Sequence, residues 1–468
     1  MNARSLFVGG TSSNAGKSWM VTAICAWLRR QGVAVAPFKA QNMSNHSFPC
    51  RGGGEIGRAQ VAQAEACGLE PEPAMNPILL KPCGGRSQVI VNGRVWKTLA
   101  PAEYYAQVDH LRGQVLHAYN SLAERFDVVV IEGAGSVTEL NLRHADVVNL
   151  GLVTSIHAPW VLVADIERGG VFASVIGTVS LLTAEERSLF RGFAINKFRG
   201  DRSLFDEGVR ILEARTSAPC LGVFPHASDI ALDAEDSLSL STTPAVPPPP
   251  GARTAIVRFP ALSNGTDFQR LNWAEWITAA PEGAFDFIVL PGTKSTIDDL
   301  AWLRRSGLAD WIVDQHRLGT TIVGVCGGFQ MLGRSVRDPL GVESSESATT
   351  GLGLLPCTTV LAAEKTTLVR HGVTAGGTPF SGYEIHMGQT EFERPVPPFA
   401  RFDDDRPEGV RLPRLIGTYL HGVFESPTVC AEVFGVEPAG PTAKAEHYGR
   451  LADWFERNGR GWSELGLM

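Results

Sequence analysis

The stretch LFVGGTSSNAGKS, residues 6–18, decides the fold of the first half of the chain. Its apolar start predicts a buried strand, and the glycines and small polar residues that follow predict a loop leading into a helix. Such a loop turns its backbone amides toward a phosphate, and the positive end of the next helix faces the same point. The order strand, glycine-rich loop, Gly-Lys-Ser and helix therefore predicts a nucleotide site.

Individual residues of this loop have predicted roles. We expect Lys17 to reach the outer phosphates and the Ser18 hydroxyl to bind Mg²⁺. The match to the usual G-x-x-x-x-G-K-S pattern is imperfect, because Thr11 stands where glycine is expected and Gly10 lies one place early. A glycine-rich turn that only opens a helix is the structural alternative. The predicted nucleotide contacts are Gly10, Thr11, Ser12, Asn14, Ala15, Gly16, Lys17 and Ser18.

Two further strands end in polar residues. The run Val128 to Ile131 is followed by Glu132 and then by glycines. A carboxylate at the carboxyl end of such a strand lies beside the phosphate loop, so we predict that Glu132 holds Mg²⁺ together with Ser18. A helix cap is the alternative role for a lone acid. Asn196, after the strand Phe193 to Ile195, is predicted to contact the nucleotide base, although Asn-Lys also suits an ordinary turn.

Apolar runs alternate with helical patterns on both sides of a proline-rich break. The predicted strands are residues 6–8, 33–38, 128–131, 161–164 and 193–195 before the break, and 255–259, 287–290 and 321–325 after it. This alternation predicts α/β domains built on parallel sheets. Prolines 247–250 predict a semi-rigid linker. We predict a first domain at 1–240, a linker at 241–252, a second domain at 253–435 and a helical tail at 436–468.

Composition excludes several classes of protein. The net charge is −7 and hydrophobic residues make up 44% of the chain, which argues against nucleic acid as a partner and fits a globular protein. No apolar run approaches the roughly 20 residues of a membrane helix, and no signal peptide is recognised. Eight scattered cysteines without a C-x-x-C pair favour the cytoplasm. Whether the chain forms a homo-oligomer is left open.

The second half contains a candidate nucleophile. In VGVCGGFQMLG, residues 323–333, an apolar strand leads into G-x-C-x-G and then a helix. Small neighbours permit a strained turn that exposes Cys326 at a helix N-terminus, where the thiolate is favoured. A buried structural cysteine is the alternative. A cysteine nucleophile needs a base, and His421, at the end of a short apolar run, is the predicted one.

These residues resemble the class I (triad) glutamine amidotransferases, many of which carry a glutamate two residues after the histidine. Here that position is Val423, and Glu425 is the nearest acid. The usual triad is thus incomplete by sequence, and Glu384 is a candidate for its acid, with a structural role as the alternative. Residues 291–294, Pro-Gly-Thr-Lys, resemble the oxyanion loop of that family, whose backbone amides stabilise the tetrahedral intermediate.

The spelling GTSSNAGKS is similar to that of dethiobiotin synthetase and its relatives, and it lacks the additional lysine of partitioning ATPases. Three further stretches resemble the cobyric acid synthase family: APFKAQNMS at 36–44, GEIGRAQ at 54–60 and MNPILLKP at 75–82. Together with GYEIHMG at 382–388, the resemblance spans nearly the whole chain. It implies an N-terminal dethiobiotin-synthetase-like P-loop domain and a C-terminal class I glutamine amidotransferase-like α/β domain.

The resemblance also implies a reaction. ATP and glutamine would support amidation of the b, d, e and g carboxylates of adenosylcobyrinic acid a,c-diamide in cobalamin biosynthesis, through an acyl phosphate and ammonia. Lys39, after the second strand, suits a phosphate or the substrate carboxylate, with a solvated lysine as the alternative. Neutral hydrogen-bonding groups suited to the side arms of the corrinoid substrate are Gln41, Asn42, Ser44 and Gln60. Glu55, Arg58 and Lys81 either bind substrate or cap helices.

Three alternatives remain at this point. A related amidotransferase would act on the a and c positions or on a cell-wall lipid precursor. A regulatory or partitioning ATPase would carry a decayed glutaminase, against which Cys326 and His421 argue. A stand-alone glutaminase would not need the phosphate loop.

Overall fold

The computed structural model describes residues 3–227, 229–230, 244–438 and 444–467. The final residues of the predicted first domain, the start of the predicted linker and part of the predicted tail lie outside the described residues. The proline run at 247–250 belongs to the described part and contains neither a helix nor a strand.

The first half alternates strands and helices. Its strands are β1 (Arg4–Gly10), β2 (Val35–Phe38), β3 (Gln41–Met43), β4 (Ser47–Pro49), β5 (Glu55–Gly57), β6 (Ile78–Cys83), β7 (Arg86–Val91), β8 (Arg94–Leu99), β9 (Val128–Glu132), β10 (Trp160–Asp165), β11 (Phe190–Phe198) and β12 (Cys220–Pro225). Its helices are α1 (Lys17–Arg30), α2 (Arg58–Cys67), α3 (Pro101–Tyr105), α4 (Val108–Ala123), α5 (Leu150–Ile156), α6 (Val171–Ser180), α7 (Ala184–Leu189) and α8 (Asp206–Thr216).

Six of these strands form one sheet in the order β12-β11-β10-β1-β9-β2, and every neighbouring pair is parallel. All five strands predicted for the first half lie in it, and their apolar runs are buried because helices cover both faces. Four of the predicted runs lie within longer observed strands, whereas β2 begins at Val35 rather than at residue 33. The amide of Val33 instead bonds to the carbonyl of Leu28 and closes the end of α1, where Gly32 has φ +80°.

A smaller sheet with the order β3-β6-β7-β8 and a two-stranded ribbon, β4 with β5, are inserted between β2 and β9. β3 pairs with β6 in parallel, and the other pairs are antiparallel. This insertion carries the residues that were predicted to bind the acceptor substrate, at the edge of the first domain that faces the second half of the chain.

The second half has a sheet and a long hairpin. Its strands are β13 (Thr254–Val257), β14 (Glu275–Ile277), β15 (Phe287–Leu290), β16 (Thr321–Val325), β17 (Ser335–Arg337), β18 (Ala348–Thr350), β19 (Cys357–Thr374), β20 (Pro379–Phe392), β21 (Ala400–Phe402), β22 (Pro407–Glu408), β23 (Val410–Leu412), β24 (Leu415–Thr418) and β25 (Leu420–His421). Its helices are α9 (Thr296–Arg305), α10 (Leu308–Leu318), α11 (Gly327–Leu332), α12 (Pro427–Phe434) and α13 (Lys444–Asn458).

The main sheet of this half has the order β14-β13-β15-β16-β24-β23, and only the pair β23–β24 is antiparallel. The strands predicted at 255–259, 287–290 and 321–325 correspond to β13, β15 and β16, although β13 ends at Val257 rather than at residue 259. The hairpin β19–β20 belongs to a second sheet, in which β20 pairs with the short strand β25. This pairing sets Tyr383 opposite His421 and so ties the hairpin to the predicted base.

The last helix, α13, returns to the first domain and packs on α1. Phe455 contacts Trp27 with ring centroids 5.3 Å apart, and Trp454 contacts Phe224 at 4.8 Å. Trp454 also donates a hydrogen bond to the carbonyl of Pro225. The end of the chain therefore covers one face of the first sheet. No helix in the part of the chain that the structure describes is long and apolar enough to cross a membrane.

Candidate active sites

The phosphate loop closes around the side chain of Lys17. Its Nζ donates to the carbonyl of Ser12 at 2.9 Å and to that of Gly135 at 2.8 Å, so the amine lies across the mouth of the loop. A Cβ at position 10 would lie only 2.9 Å from the Lys17 side chain. Glycine at position 10 therefore leaves space for the Lys17 side chain. The loop can close in this way although Thr11 stands where the usual pattern has glycine.

The loop is supported from behind by Asn196. This buried side chain donates to the carbonyl of Ala15 at 3.0 Å. A Cβ at position 16 would clash with the Asn196 amide, and Gly16 has φ +94°, so this position requires glycine for both space and backbone angle. Lys197 donates to the carbonyl of Asn14 at 2.6 Å. Contact of Asn196 with the nucleotide base stays a prediction.

Glu132 is fully buried at the end of β9 and accepts three hydrogen bonds. Ser18 Oγ donates to its Oε1 at 2.8 Å, Lys39 Nζ donates to the same oxygen at 2.6 Å, and Gln63 Nε2 donates to Oε2. The structure thus brings together Ser18 and Glu132, as predicted for the metal site, and adds Lys39. Gln63, on α2, was not identified from the sequence, because nothing local relates it to a strand end of the sheet.

The chemistry of this group suits Mg²⁺. The cation prefers oxygen ligands and is usually held by only one or two protein groups, with phosphates and water completing its coordination. Ser18 Oγ and Glu132 Oε1 are oxygens that lie 2.8 Å apart beside the phosphate loop. No cluster of three metal-ligating His, Cys, Asp or Glu side chains occurs among the described residues. The protein oxygens therefore fit a nucleotide-bound cation rather than a complete protein cage.

The predicted acceptor-binding residues lie in the insertion after β2. Asn42 Nδ2 donates to Gln60 Oε1 at 2.9 Å, and Tyr104 donates from its hydroxyl to Gln41 Oε1. Ser44 Oγ accepts from the backbone amide of His46 at 3.0 Å. Together with Lys39 these residues belong to the part of the first domain that lies between the nucleotide site and the second domain.

Glu55, Arg58 and Lys81 were predicted either to bind substrate or to cap helices. Glu55 and Lys81 lie in strands and form a buried ion pair at 2.5 Å. Arg58 is the first residue of α2 and forms an ion pair with Glu425 of the second domain. These charges therefore lie where the two domains meet.

Cys326 lies between β16 and α11 with φ +52° and ψ −110°. This backbone conformation is strained for a side chain other than glycine and is the geometry of a nucleophile elbow. Its neighbours have to be small: a Cβ at position 324 would lie 2.8 Å from Phe329 Cα, and one at position 328 would clash with the carbonyl of Leu290. The predicted G-x-C-x-G turn is thus required by close backbone packing.

His421 and Asp267 form a buried pair in which His421 Nδ1 lies 2.6 Å from Asp267 Oδ2. Asp267 Oδ1 accepts from the amide of Gly422 at 3.0 Å, which fixes the carboxylate. Burial by itself lowers the pKa of His421, but the charges of Asp267 and Cys326 raise it by more, to about 10. The pair suits a base held by an orienting acid, while the roles of Cys326 as nucleophile and of His421 as base stay predictions.

Neither Glu425, the acid nearest to His421 in sequence, nor the candidate Glu384 pairs with His421. Glu425 is paired with Arg58, and Glu384 with Arg370 at 2.5 Å and with His386 at 3.4 Å. Asp267, which follows β13, was not identified. The sequence showed only that Asp267 follows the first strand of the second half. No local spacing relates it to a histidine 154 positions away.

The loop 291–294 lies against this site. A Cβ at position 292 would be 2.8 Å from His421 Cε1, and one at position 327 would be 2.6 Å from Thr293 Cγ2. Gly292 and Gly327 therefore let the loop approach both the base and the helix after Cys326. Stabilisation of an oxyanion by its backbone amides stays a prediction.

Comparison with known families agrees with this division into two sites. Residues 6–240 match the CobQ/CobB/MinD/ParA nucleotide binding domain, and residues 253–429 match the CobB/CobQ-like glutamine amidotransferase domain. Fold and sites together define a class of protein, in which a nucleotide-binding domain and a glutamine amidotransferase domain share one chain.

Similar proteins of known name identify the family within this class. The cobyric acid synthase of Dehalococcoides mccartyi strain CBDB1 is 44% identical over 446 residues, which cover 91% of this chain and 89% of that protein. The cobyric acid synthase of strain 195 is 43% identical over 446 residues, with 91% and 88% covered. The chain belongs to the cobyric acid synthase family and is a glutamine amidotransferase ligase.

Proposed function

We propose that this protein amidates the b, d, e and g carboxylates of adenosylcobyrinic acid a,c-diamide, a step of cobalamin biosynthesis, with ATP as the activating nucleotide and glutamine as the nitrogen donor. Its family membership supports the acceptor. The observation that carries the proposal is that one helix, α2, contacts both sites: Arg58 pairs with Glu425 near His421, and Gln63 donates to Glu132 beside the phosphate loop. The two sites are thus connected through one helix, which supports transfer of ammonia from the second domain to the first.

The second domain supplies the nitrogen. The sulfur of Cys326 attacks the side-chain carbonyl carbon of glutamine, and His421 passes a proton to the departing ammonia. Water then hydrolyses the thioester, which releases glutamate and restores the thiol. Asp267 holds Nδ1 of His421, so that Nε2 faces the reacting groups and the imidazolium is stabilised.

The first domain prepares the acid. The carboxylate oxygen attacks the terminal phosphorus of ATP, ADP leaves, and ammonia displaces phosphate from the acyl phosphate to give the amide. Lys17 and Lys39 bring two positive charges to the mouth of the loop and to Glu132, where the phosphates carry negative charge. Mg²⁺, when held by Ser18 and Glu132, supplies further charge neutralisation.

The acceptor would lie along the insertion after β2. Lys39 suits an anionic arm, and the amide and hydroxyl groups of Gln41, Asn42 and Ser44 suit carboxylate and carboxamide arms. These groups follow Lys39 in the chain and lead away from the nucleotide site, which supports a large substrate with several arms.

Incubation of the protein with ATP, Mg²⁺, glutamine and the a,c-diamide, followed by mass spectrometry, tests the proposal. We expect four successive mass changes, each matching replacement of OH by NH₂. Cobyrinic acid without amides and a cell-wall lipid precursor serve as rival acceptors in the same assay. Turnover of a rival acceptor together with no turnover of the a,c-diamide would contradict the proposal.

A further inference from the structure

A segment of the first domain, residues 45–58, lies against the loops that carry the glutaminase residues. We call it the bridging segment; it comprises a short turn, the ribbon β4–β5 and the first residue of α2. The backbone amide of Ser47 donates to Asn264 Oδ1 at 2.9 Å, and Ser263 Oγ donates to the carbonyl of Asn45 at 3.1 Å. Asn264 lies three residues before Asp267 and has a left-handed backbone with φ +52°. The bridging segment therefore holds the turn from which Asp267 projects.

Aromatic rings continue the contact to the base. The ring of Phe48 on β4 lies 4.7 Å from that of Tyr383, and Tyr383 stacks on His421 at 5.4 Å with an interplanar angle of 22°. Tyr383 and His421 are also paired between β20 and β25. One face of the His421 imidazole is thus packed against a ring whose outer side is covered by the first domain.

Buried charges lock this arrangement. Arg58, 2% exposed, pairs with Glu425 and lies over the ring of Phe48 at 5.1 Å. Glu55 pairs with Lys81 of its own domain and with Lys365 of the hairpin β19–β20. Removal of one partner would leave the opposite charge buried without full compensation, which is strongly unfavourable. The bridging segment is therefore held in one position relative to the second domain.

We propose that the bridging segment positions the glutaminase: through Ser47 it sets the turn that carries Asp267, and through Phe48 and Tyr383 it sets the ring of His421. The inference rests on the proposed function and extends it, because the segment follows Gln41, Asn42 and Ser44 in the chain and continues into the helix whose Gln63 bonds to Glu132. Glutamine hydrolysis thus depends on a part of the domain that receives the ammonia.

Substitution of Phe48 tests this positioning role. We expect Phe48→Ala to lower kcat for glutamate release from glutamine by about tenfold, with KM for glutamine changed less than about twofold, because the groups that bind glutamine are retained. Amidation driven by ammonium salts should stay within about twofold of wild type, since it does not use Cys326 or His421. Phe48→Tyr keeps the ring and should restore wild-type kcat. Phe172→Ala, at a half-exposed ring on α6, is the matched control and should change neither activity.

Asn264→Gly is the second variant. Glycine adopts the left-handed conformation without strain, so this change removes only the side chain that accepts from Ser47. We expect the same selective loss of glutamate release. Wild-type rates of glutamate release in both variants, or losses matched by equal losses of ammonia-driven amidation, would overturn the inference. Glutamate release is measured without reference to the acceptor, so failure of wild-type protein to amidate the a,c-diamide would count against the proposed function alone.

Discussion

His421 Nδ1 lies 2.6 Å from Asp267 Oδ2, within a pair that is almost completely buried. The carboxylate is held by the amide of Gly422, so it both orients the imidazole and stabilises its charged form. The acid of this site therefore comes from the first loop of the second domain and not from the strand that carries the histidine.

Asp267→Asn should lower glutamine-dependent amidation by at least about 100-fold, since the amide can neither stabilise the imidazolium of His421 nor hold the ring as the carboxylate does. Ammonia-dependent amidation should be unchanged. Glu384→Gln is the matched comparison, because Glu384 is a buried acid near the site that pairs with Arg370 and His386. Its glutamine-dependent rate should stay within about threefold of wild type. Steady-state rates with each nitrogen source measure both, and the reverse order of the two effects would refute the assignment.

The stability of the protein should depend on the charge of His421. Its pKa is raised from the ordinary 6.5 to about 10, because the charges of Asp267 and Cys326 outweigh the lowering effect of burial. A group whose pKa is raised on folding contributes stability that is complete below its unfolded pKa and is lost as pH rises through the folded pKa. The free energy of unfolding should thus fall between pH 7 and 10.

Urea unfolding of wild type and of Asp267→Asn at pH 7 and pH 9.5 measures this contribution. The fall in unfolding free energy should be smaller in the variant by on the order of 2 kcal/mol, because the main charge that raises the pKa is gone. Equal falls in the two proteins would mean that His421 is not charged in the folded state.

Cys326→Ala and Lys17→Ala should distinguish the activity of the glutaminase site from that of the nucleotide site. Loss of the thiol should abolish glutamine-dependent amidation and leave ammonia-dependent amidation intact, because ammonia enters after the glutaminase step. Loss of the Lys17 amine should abolish both, since each requires activation of the acid. Cys220→Ala, in β12, serves as the cysteine control. Ammonia-dependent turnover by Lys17→Ala would disprove the role given to the phosphate loop.

Glu132→Gln should weaken the Mg²⁺-dependent part of ATP binding by at least about tenfold, because the oxygen beside Ser18 loses its charge. Calorimetric titration of ATP with and without Mg²⁺ measures it. Glu124→Gln, an exposed acid at the end of α4, should bind ATP like wild type. Only Glu132→Gln should bind ATP with the same affinity in the presence of Mg²⁺ and in the presence of a chelator.

Lys365→Met should destabilise the contact between the domains. Glu55 is buried and keeps Lys81 and the hydroxyl of Ser47 as partners after this change, but it loses one of its two opposite charges, which should cost about 2–4 kcal/mol in urea unfolding. Arg317→Ala breaks the exposed pair with Asp314, at which both side chains are more than half exposed, and should have no measurable effect. Equal effects of the two substitutions would show that the buried charges at this contact contribute no more than surface ones.

Much of the candidate chemistry was predictable because it depends on local sequence. The loop before Lys17 and the turn at Cys326 each need small residues at fixed spacing, since the backbone makes close approaches there. Glu132 was predictable because a strand of four apolar residues ends at it. Gln63 and Asp267 were not, because each reaches its site from a separate element and its spacing carries no pattern.

The sequence by itself determined two α/β units, the phosphate loop and the turn at Cys326, because apolar periodicity and glycine spacing act within a few residues of each other. Only the tertiary structure decided that Asp267 pairs with His421, that α13 returns to cover the first sheet, and that the bridging segment lies against the second domain. These contacts form between residues far apart in the chain. These contacts are stabilised by the burial of charged and aromatic side chains, and no local sequence pattern indicates them.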